Sequence, residues 1–269
     1  MLDTSFKKSI GSMDLSHFTR IVVAILWTQR RTGGFFRMND EILRVIEPYL
    51  TGRATTCSYC DKLDELILYE GDHFYITNAI GAFVPGYIQL CAKNHRTAAT
   101  GVESYEIREL VFLKTAIRTA YKEVYGNSGI AFEHGQAGSC LWGPEAAKNE
   151  TSLCHHMHIH FIPQKIDLHA AIAKLCPQFF EVKSHFDMLD VRNQELDADQ
   201  YLYFEPEDNR GYMYSVAGCD IPRQFLRRCA AEALGFPERA DWQTYPGVEF
   251  YASTRELLQP SLLQAICEC

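Results

Sequence analysis

No stretch of this chain is apolar for long enough to cross a bilayer as a helix. The run Ile21 to Trp27 is short and lies between Arg20 and Arg30, whereas a spanning helix needs about 20 apolar residues. No secretory leader is expected either, because Met1 to Ser9 is mostly polar, and a cytoplasmic protein without a membrane partner is expected. Basic charge is scarce: 26 Lys and Arg stand against 34 Asp and Glu, a formal net charge of -8. That excludes a broad basic surface able to displace counterions from duplex nucleic acid, although one local positive site stays compatible with an acidic protein. Internal repeats and low-complexity tracts are also lacking.

With 269 residues, 47% of them hydrophobic, the chain can bury one substantial core with appended elements. Its ten cysteines, in a chain read as unsecreted, are expected to be reduced thiols and not a disulfide framework. Cys57 and Cys60 are the exception, as a pair two residues apart. Cys267 and Cys269 lie close together at a chain end expected to fray.

Residues 1–56 read as mainly helical, with apolar positions at Ile21, Ile25, Ile42, Val45, Ile46 and Leu50, interrupted at Thr32-Gly33-Gly34. From Leu66 the pattern changes to short runs, Leu66 to Tyr69 and His73 to Thr77, around a turn at Glu70-Gly71-Asp72. A third run, Gly86 to Ala92, follows Pro85. Thr100 and Glu103 form a candidate capping box, and Ile107, Leu110, Val111, Ile117, Tyr121 and Val124 recur at helical spacing up to Gly126. The spacing predicts a helix of about six turns. A strand over Gly129 to Glu133, a polar loop over Gly135 to Glu150 and a strand over His156 to Pro163 follow. Beyond Asp167 we read a helix at 168–176, strands near 178–189 and 200–204, a hairpin completed by Tyr212 to Val216, and a helix over Pro222 to Leu234 with Gly235 past its end. The order indicates an α+β architecture. Its expected divisions are an N-terminal helical extension (1–56), a catalytic domain (57–167) and an α/β C-terminal extension (168–269) packing on it.

The segment His156-Met157-His158-Ile159-His160-Phe161-Ile162 alternates imidazole with apolar side chains. On a strand the three rings share one face, about 6 to 7 Å apart, while Met157, Ile159 and Phe161 point into a core. Neutral imidazole is a good nucleophile toward phosphorus and its protonated form a proton donor, so one such row supplies both attack and proton traffic.

This alternation is a full match to the signature of the histidine triad (HIT) superfamily, and the strand and turn over Gly86 to His95 with the helix after it also resemble that layout. The resemblance implies a HIT-like antiparallel sheet with one long helix, and a nucleotide or nucleotide-linked small molecule as substrate. It implies that His158 attacks the α-phosphorus to form a nucleotidyl-histidine, that His156 and His160 orient it and bind phosphate oxygens, and that water or another acceptor releases the nucleotide. His160, where the uridylyltransferase branch has Gln, favours the hydrolase-like branches. Asn78 sits near where relatives contact ribose, and could equally be an Asn in a turn. The segment from Glu133-His134-Gly135 to Ser152 occupies the place of a glycine-rich phosphate loop whose N–H groups would face developing charge. Gly135, Gly138, Ser139, Thr151 and Ser152 are its candidates, with His134 as a further phosphate or leaving-group contact or simply an exposed loop residue. This loop is roughly a dozen residues longer than in small relatives, and Leu153 stands where they often carry a hydroxyl.

Cys57-Ser58-Tyr59-Cys60 has the spacing that lets two thiolates grip one tetrahedral metal. In some bacterial-type relatives such a knuckle is completed by a His after the third strand and by the first His of the row, which here match His95 and His156. The resemblance thus implies a closed structural Zn2+ site, with His155 as an alternative ligand to His156. In the C-terminal segment, Arg223 could approach a substrate phosphate, and Arg227 and Arg228 share its helix. Tyr201 and Tyr203 could stack on a base or belong to the core. Two other functions stay open: a metal-dependent hydrolase using the histidine row as ligands, and a noncatalytic nucleotide-binding module. Homodimers are common in the resembled family, and the extensions could block that interface.

Overall fold

The computed structural model describes residues 34–54, 56–135, 156–183, 200–206 and 210–268. The chain is a mixture of helices and one antiparallel sheet. Its strands are β1 Ile67–Glu70, β2 Phe74–Asn78, β3 Ile88–Ala92, β4 Ile130–Gly135, β5 His158–Ile162, β6 Phe179–Val182, β7 Tyr201–Glu205 and β8 Gly211–Ser215. They lie in the order β1-β2-β3-β5-β4-β7-β8-β6. The helices are α1 Gly34–Leu50, α2 Ser58–Asp61, α3 Ile107–Tyr125, α4 His169–Leu175, α5 Phe225–Ala233 and α6 Tyr251–Glu268. No helix among the described residues is long and apolar enough to cross a membrane.

Alternation along the strands separates the two faces of the sheet. Ile76, Leu90, Ile159 and Phe161 pack with Leu110, Leu113 and Ile117 of α3 and with Leu258 and Leu262 of α6. On the other face Phe132, Ile162, Leu202 and Phe204 pack with Ile42 and Ile46 of α1, Ile172 of α4 and Leu226 of α5. His158 and His160 alternate with Ile159 and Phe161, so they belong to this second face. The hairpin between β1 and β2 closes where Gly71 N–H bonds the Phe74 carbonyl at 2.9 Å. A Cβ on Gly71 would lie 2.2 Å from Glu109 Oε1, so a larger residue there would displace that carboxylate.

Several boundaries differ from expectation. The helix α3 is 19 residues long, about five turns, and no Thr100 to Glu103 box caps it. Thr100 lies in a separate 3-10 turn, Ala99–Gly101, while buried Glu106 accepts the Glu103 N–H at 2.9 Å and pairs with Arg96. The helix stops at Gly126, with φ 75°, as its left-handed tolerance predicts. β4 runs on through His134 and Gly135, which are therefore strand and not loop residues. Gly135 faces the Tyr201 ring so closely that a Cβ would overlap it at 2.2 Å. α5 starts at Phe225, because Gln224 adopts a left-handed φ of 56° and breaks the run from Pro222. The sequence reading holds one long helix, yet α6 is a second, seated beside α3. Polar Ser253 and Thr254 are among its buried residues, apolar Leu263 is exposed and Pro260 lies within it, which hid its periodicity.

The C-terminal strands extend the sheet. β7 pairs with β4, setting Leu202 opposite His134 and Phe204 opposite Phe132, and β8 and β6 follow. This extension is anchored to α3 by buried charge. Glu205 pairs with Lys114 and Arg118 and also accepts from the Tyr203 hydroxyl. Arg118 spends another nitrogen on the Ser128 and Gly129 carbonyls, at 3.0 and 2.7 Å.

Candidate functional site

The second sheet face borders a cavity of about 450 Å³ lined by the three histidines of the row, with Tyr59 of α2 and Arg227 of α5 among its walls. Strand register puts them there. His158 pairs opposite Cys91 and His160 opposite Gln89 on β3, while Phe132 of β4 stands opposite His160 on the other side. Phe132 stacks on the His160 ring, with centroids 4.8 Å apart.

Hydrogen bonds fix the protons on the first two rings. His158 Nδ1 lies 2.7 Å from the His156 carbonyl oxygen. A carbonyl only accepts, so Nδ1 carries the hydrogen and Nε2 keeps its lone pair. Burial, above the effect of any neighbour, pushes the pKa of His158 down to about 4, so the ring is neutral at physiological pH. His156 is set the opposite way: Nε2 donates to the Ala92 carbonyl at 2.7 Å and Nδ1 is the free base.

That free nitrogen points at two thiols and a second imidazole. His156 Nδ1 lies 3.7 Å from Cys57 Sγ, 3.5 Å from Cys60 Sγ and 3.3 Å from His95 Nδ1, and Cys60 Sγ is 3.2 Å from His95 Nδ1. These four donors lie within 4.8 Å of one another and could hold a metal ion. A tetrahedral centre with bonds of about 2.3 Å to sulfur and about 2.0 Å to nitrogen requires S···N separations of about 3.5 Å and N···N separations of about 3.3 Å. The donor set and its spacing therefore fit a tetrahedral ion of moderately soft character. Both ring nitrogens of His156 are thus engaged, which corrects the expectation that its ring binds phosphate; it meets His158 through its carbonyl.

The cysteine knuckle also reaches the cavity. Tyr59, between the two cysteines on α2, stacks on the His158 ring with centroids 4.6 Å apart and planes 16° from parallel. Its carbonyl accepts the Tyr75 hydroxyl at 2.8 Å and its own hydroxyl accepts from Gln89 Nε2 at 3.2 Å. Sequence reasoning missed Tyr59, although its position inside the cysteine spacing was the signal. It also missed Gln89, which alternation along β3 places beside the row.

His134 lines the cavity from β4. Burial lowers its pKa to about 4, and its Nε2 is a buried nitrogen with no hydrogen-bond partner among the described residues. Arg223 lines the same cavity from its exposed rim. Asn78 does not belong to the lining; it is buried, and its amide donates to the Leu66 carbonyl at 3.3 Å. Gly135 is likewise outside the lining. Tyr201 and Tyr203 are core residues whose hydroxyls donate to Glu133 and Glu205. Gly138, Ser139, Thr151, Ser152 and His155 lie outside the described residues. At the floor, His160 Nδ1 lies 2.8 Å from the Tyr87 hydroxyl, which in turn lies 3.3 Å from Arg227.

No protein-family model and no curated protein matches the chain. Among solved structures, a Hit-like protein involved in cell-cycle regulation from Bartonella henselae, with an unknown ligand, is similar to 45% of this chain over 77% of its own, at 15% identity and a TM-score of 0.28. A hypothetical histidine triad nucleotide-binding protein from Sulfolobus tokodaii is similar to 40% of this chain over 68% of its own, at 16% identity and a TM-score of 0.30.

Proposed function

We propose that the chain is a nucleotide hydrolase or nucleotidyltransferase that cleaves a nucleoside phosphate at the α-phosphorus through a nucleotidyl-histidine on His158. One observation carries this reading: a neutral imidazole whose Nδ1 hydrogen is held by the His156 carbonyl, on a ring that lines a cavity. The histidine signature of the sequence supports the same chemistry.

In this reading the Nε2 lone pair of His158 attacks the α-phosphorus, and the bond from phosphorus to the bridging atom of the leaving group breaks. The electron pair goes to the leaving group, which takes up a proton from solvent. Water or a second acceptor then attacks phosphorus and releases its proton to solvent, the N–P bond breaks, and its electron pair returns to His158. His134 and His160 face phosphate oxygens, and Arg223 meets charge at the rim. Cys57, Cys60, His95 and His156 hold Zn2+, whose contribution is structural: a four-ligand site has no open position for water. Of the row, only His156 belongs to the ligand cluster, which argues against a catalytic metal held by all three.

The test is intact mass spectrometry of wild type and His158→Ala after incubation with a panel of nucleoside polyphosphates and phosphoramidates. We expect a nucleotidyl adduct on wild type alone and a loss of turnover of at least about 10⁴-fold in the variant. An adduct on both proteins, or turnover that survives the substitution, refutes the assignment.

A further inference from the structure

One buried cation ties the C-terminal segment to the third histidine of the row. Arg227 on α5 is 5% exposed, and no carboxylate among the described residues pairs with it. Its Nε donates to the Ala240 carbonyl at 3.1 Å, and one terminal nitrogen donates to the Gly81 and Arg239 carbonyls at 2.7 and 3.0 Å. The other donates to the Tyr87 hydroxyl at 3.3 Å. Three carbonyls and a hydroxyl satisfy the hydrogen bonds, and the Phe83 and Tyr87 rings lie 5.2 and 5.6 Å from Cζ, but no carboxylate among the described residues neutralises the charge, which is costly in a protein interior. The surrounding loop is built tightly around it: at Gly81, φ +83°, a Cβ would lie 2.8 Å from the guanidinium and 2.3 Å from the Trp242 Cβ.

Hydrogen counting gives this cation a consequence. A guanidinium only donates, so the Tyr87 oxygen accepts from Arg227 and its single hydrogen is free to turn elsewhere. The acceptor it meets is His160 Nδ1, 2.8 Å away. Gln89 Nε2 stands further off at 3.4 Å, and it also donates to the Tyr59 hydroxyl. A nitrogen that accepts these donors carries no hydrogen of its own. Burial, with the positive charge of Arg227 nearby, holds the His160 pKa well below the ordinary imidazole value. The neutral ring must then keep its hydrogen on Nε2, to which no described residue bonds.

We propose that Arg227, acting through Tyr87, is a positioning residue that fixes His160 as the Nε2–H tautomer and so gives the cavity a hydrogen-bond donor beside the His158 lone pair. The opposite tautomer would present a lone pair, which phosphate oxygens repel. What the donor meets rests on the nucleotide reading above; the tautomer itself does not. His156 and His160 then carry their hydrogen on Nε2 and His158 on Nδ1, and only the third ring is set by the C-terminal segment.

The test is long-range 1H–15N correlation of the histidine side chains in the full-length labelled protein, with His160 assigned by its disappearance in His160→Gln. Wild type should show the Nε2–H pattern at His160. Arg227→Met and Tyr87→Phe should each raise the Nδ1–H form to a substantial fraction. Tyr87→Phe keeps the ring in place, so it decides the matter where Arg227→Met does not fold. Addition of AMP as probe should move the His158 and His160 signals in wild type, with affinity about 10- to 100-fold weaker in the variants, the factor expected for one hydrogen bond to a charged group. An unchanged Nε2–H pattern in Tyr87→Phe overturns the proposal. A switched tautomer in a protein whose row AMP never perturbs leaves Arg227 as a positioning residue and removes the nucleotide reading instead.

Discussion

Replacing Glu133 by Gln should remove one contribution to stability that the wild type has near pH 4.5 and loses by about pH 7. Glu133 is 1% exposed and lies on β4 between Phe132 and His134. Burial raises its carboxyl from 4.5 to about 7, against the opposing hydrogen bonds from Tyr201 and the Ala99 N–H and the charge of Lys114. Over that window the unfolded chain has released this proton and the folded chain has kept it. The unfolded state therefore binds fewer protons at this group, so its contribution to stability declines as pH rises, levelling off above about 7. At about 1.4 kcal/mol per pH unit the total loss is on the order of 3 kcal/mol. A glutamine keeps the shape and can still accept the Ala99 N–H, but has no proton to lose. Urea unfolding of both proteins at steps from pH 4.5 to 8 gives the comparison. Parallel curves would refute the reasoning. So would a wild type that gains on the variant as pH rises, since the ionised carboxylate would then be the form the fold prefers.

Wild type should carry about one metal ion per chain by elemental analysis, and Cys60→Ser should weaken its retention against a chelator at least about 10-fold, with a lower melting temperature; metal-free wild type of unchanged stability would contradict a structural role. Glu205→Ala should cost about 3 to 5 kcal/mol in denaturant unfolding, because Lys114 and Arg118 lose their buried counter-charge. Replacing Glu205, Lys114 and Arg118 together by apolar residues should cost less than the single change.

The sequence made legible what local spacing controls. Alternation predicted that His158 and His160 share a face with Ile159 and Phe161 opposite, and the apolar period predicted α3 up to Gly126. The cysteine spacing marked a knuckle, while its partners His95 and His156 came by resemblance, and the fold brings all four donors together. What stayed hidden depends on contacts between distant residues. Arg227 was visible as one of several helical arginines, but its link to His160 passes through Tyr87, 140 residues away. Asn78 looked suited to ribose because its place in the chain was right; the direction of its side chain, toward the Leu66 carbonyl, could not be read from position. α6 escaped because it buries polar Ser253 and Thr254 and exposes Leu263, which blurs the apolar stripe that periodicity detects.

The pairing of β5 with β3 has a further consequence. Because side chains alternate, sliding β5 by one residue would turn both imidazoles under the helices and deliver Ile159 and Phe161 to the cavity. Nothing in a five-residue strand alone forbids that mistake. A metal held by Cys57, Cys60, His95 and His156 would, since His95 follows β3 and His156 precedes β5. It would clip adjoining ends of the two strands at one setting, so the knuckle would serve as an alignment pin for the chemistry proposed for His158.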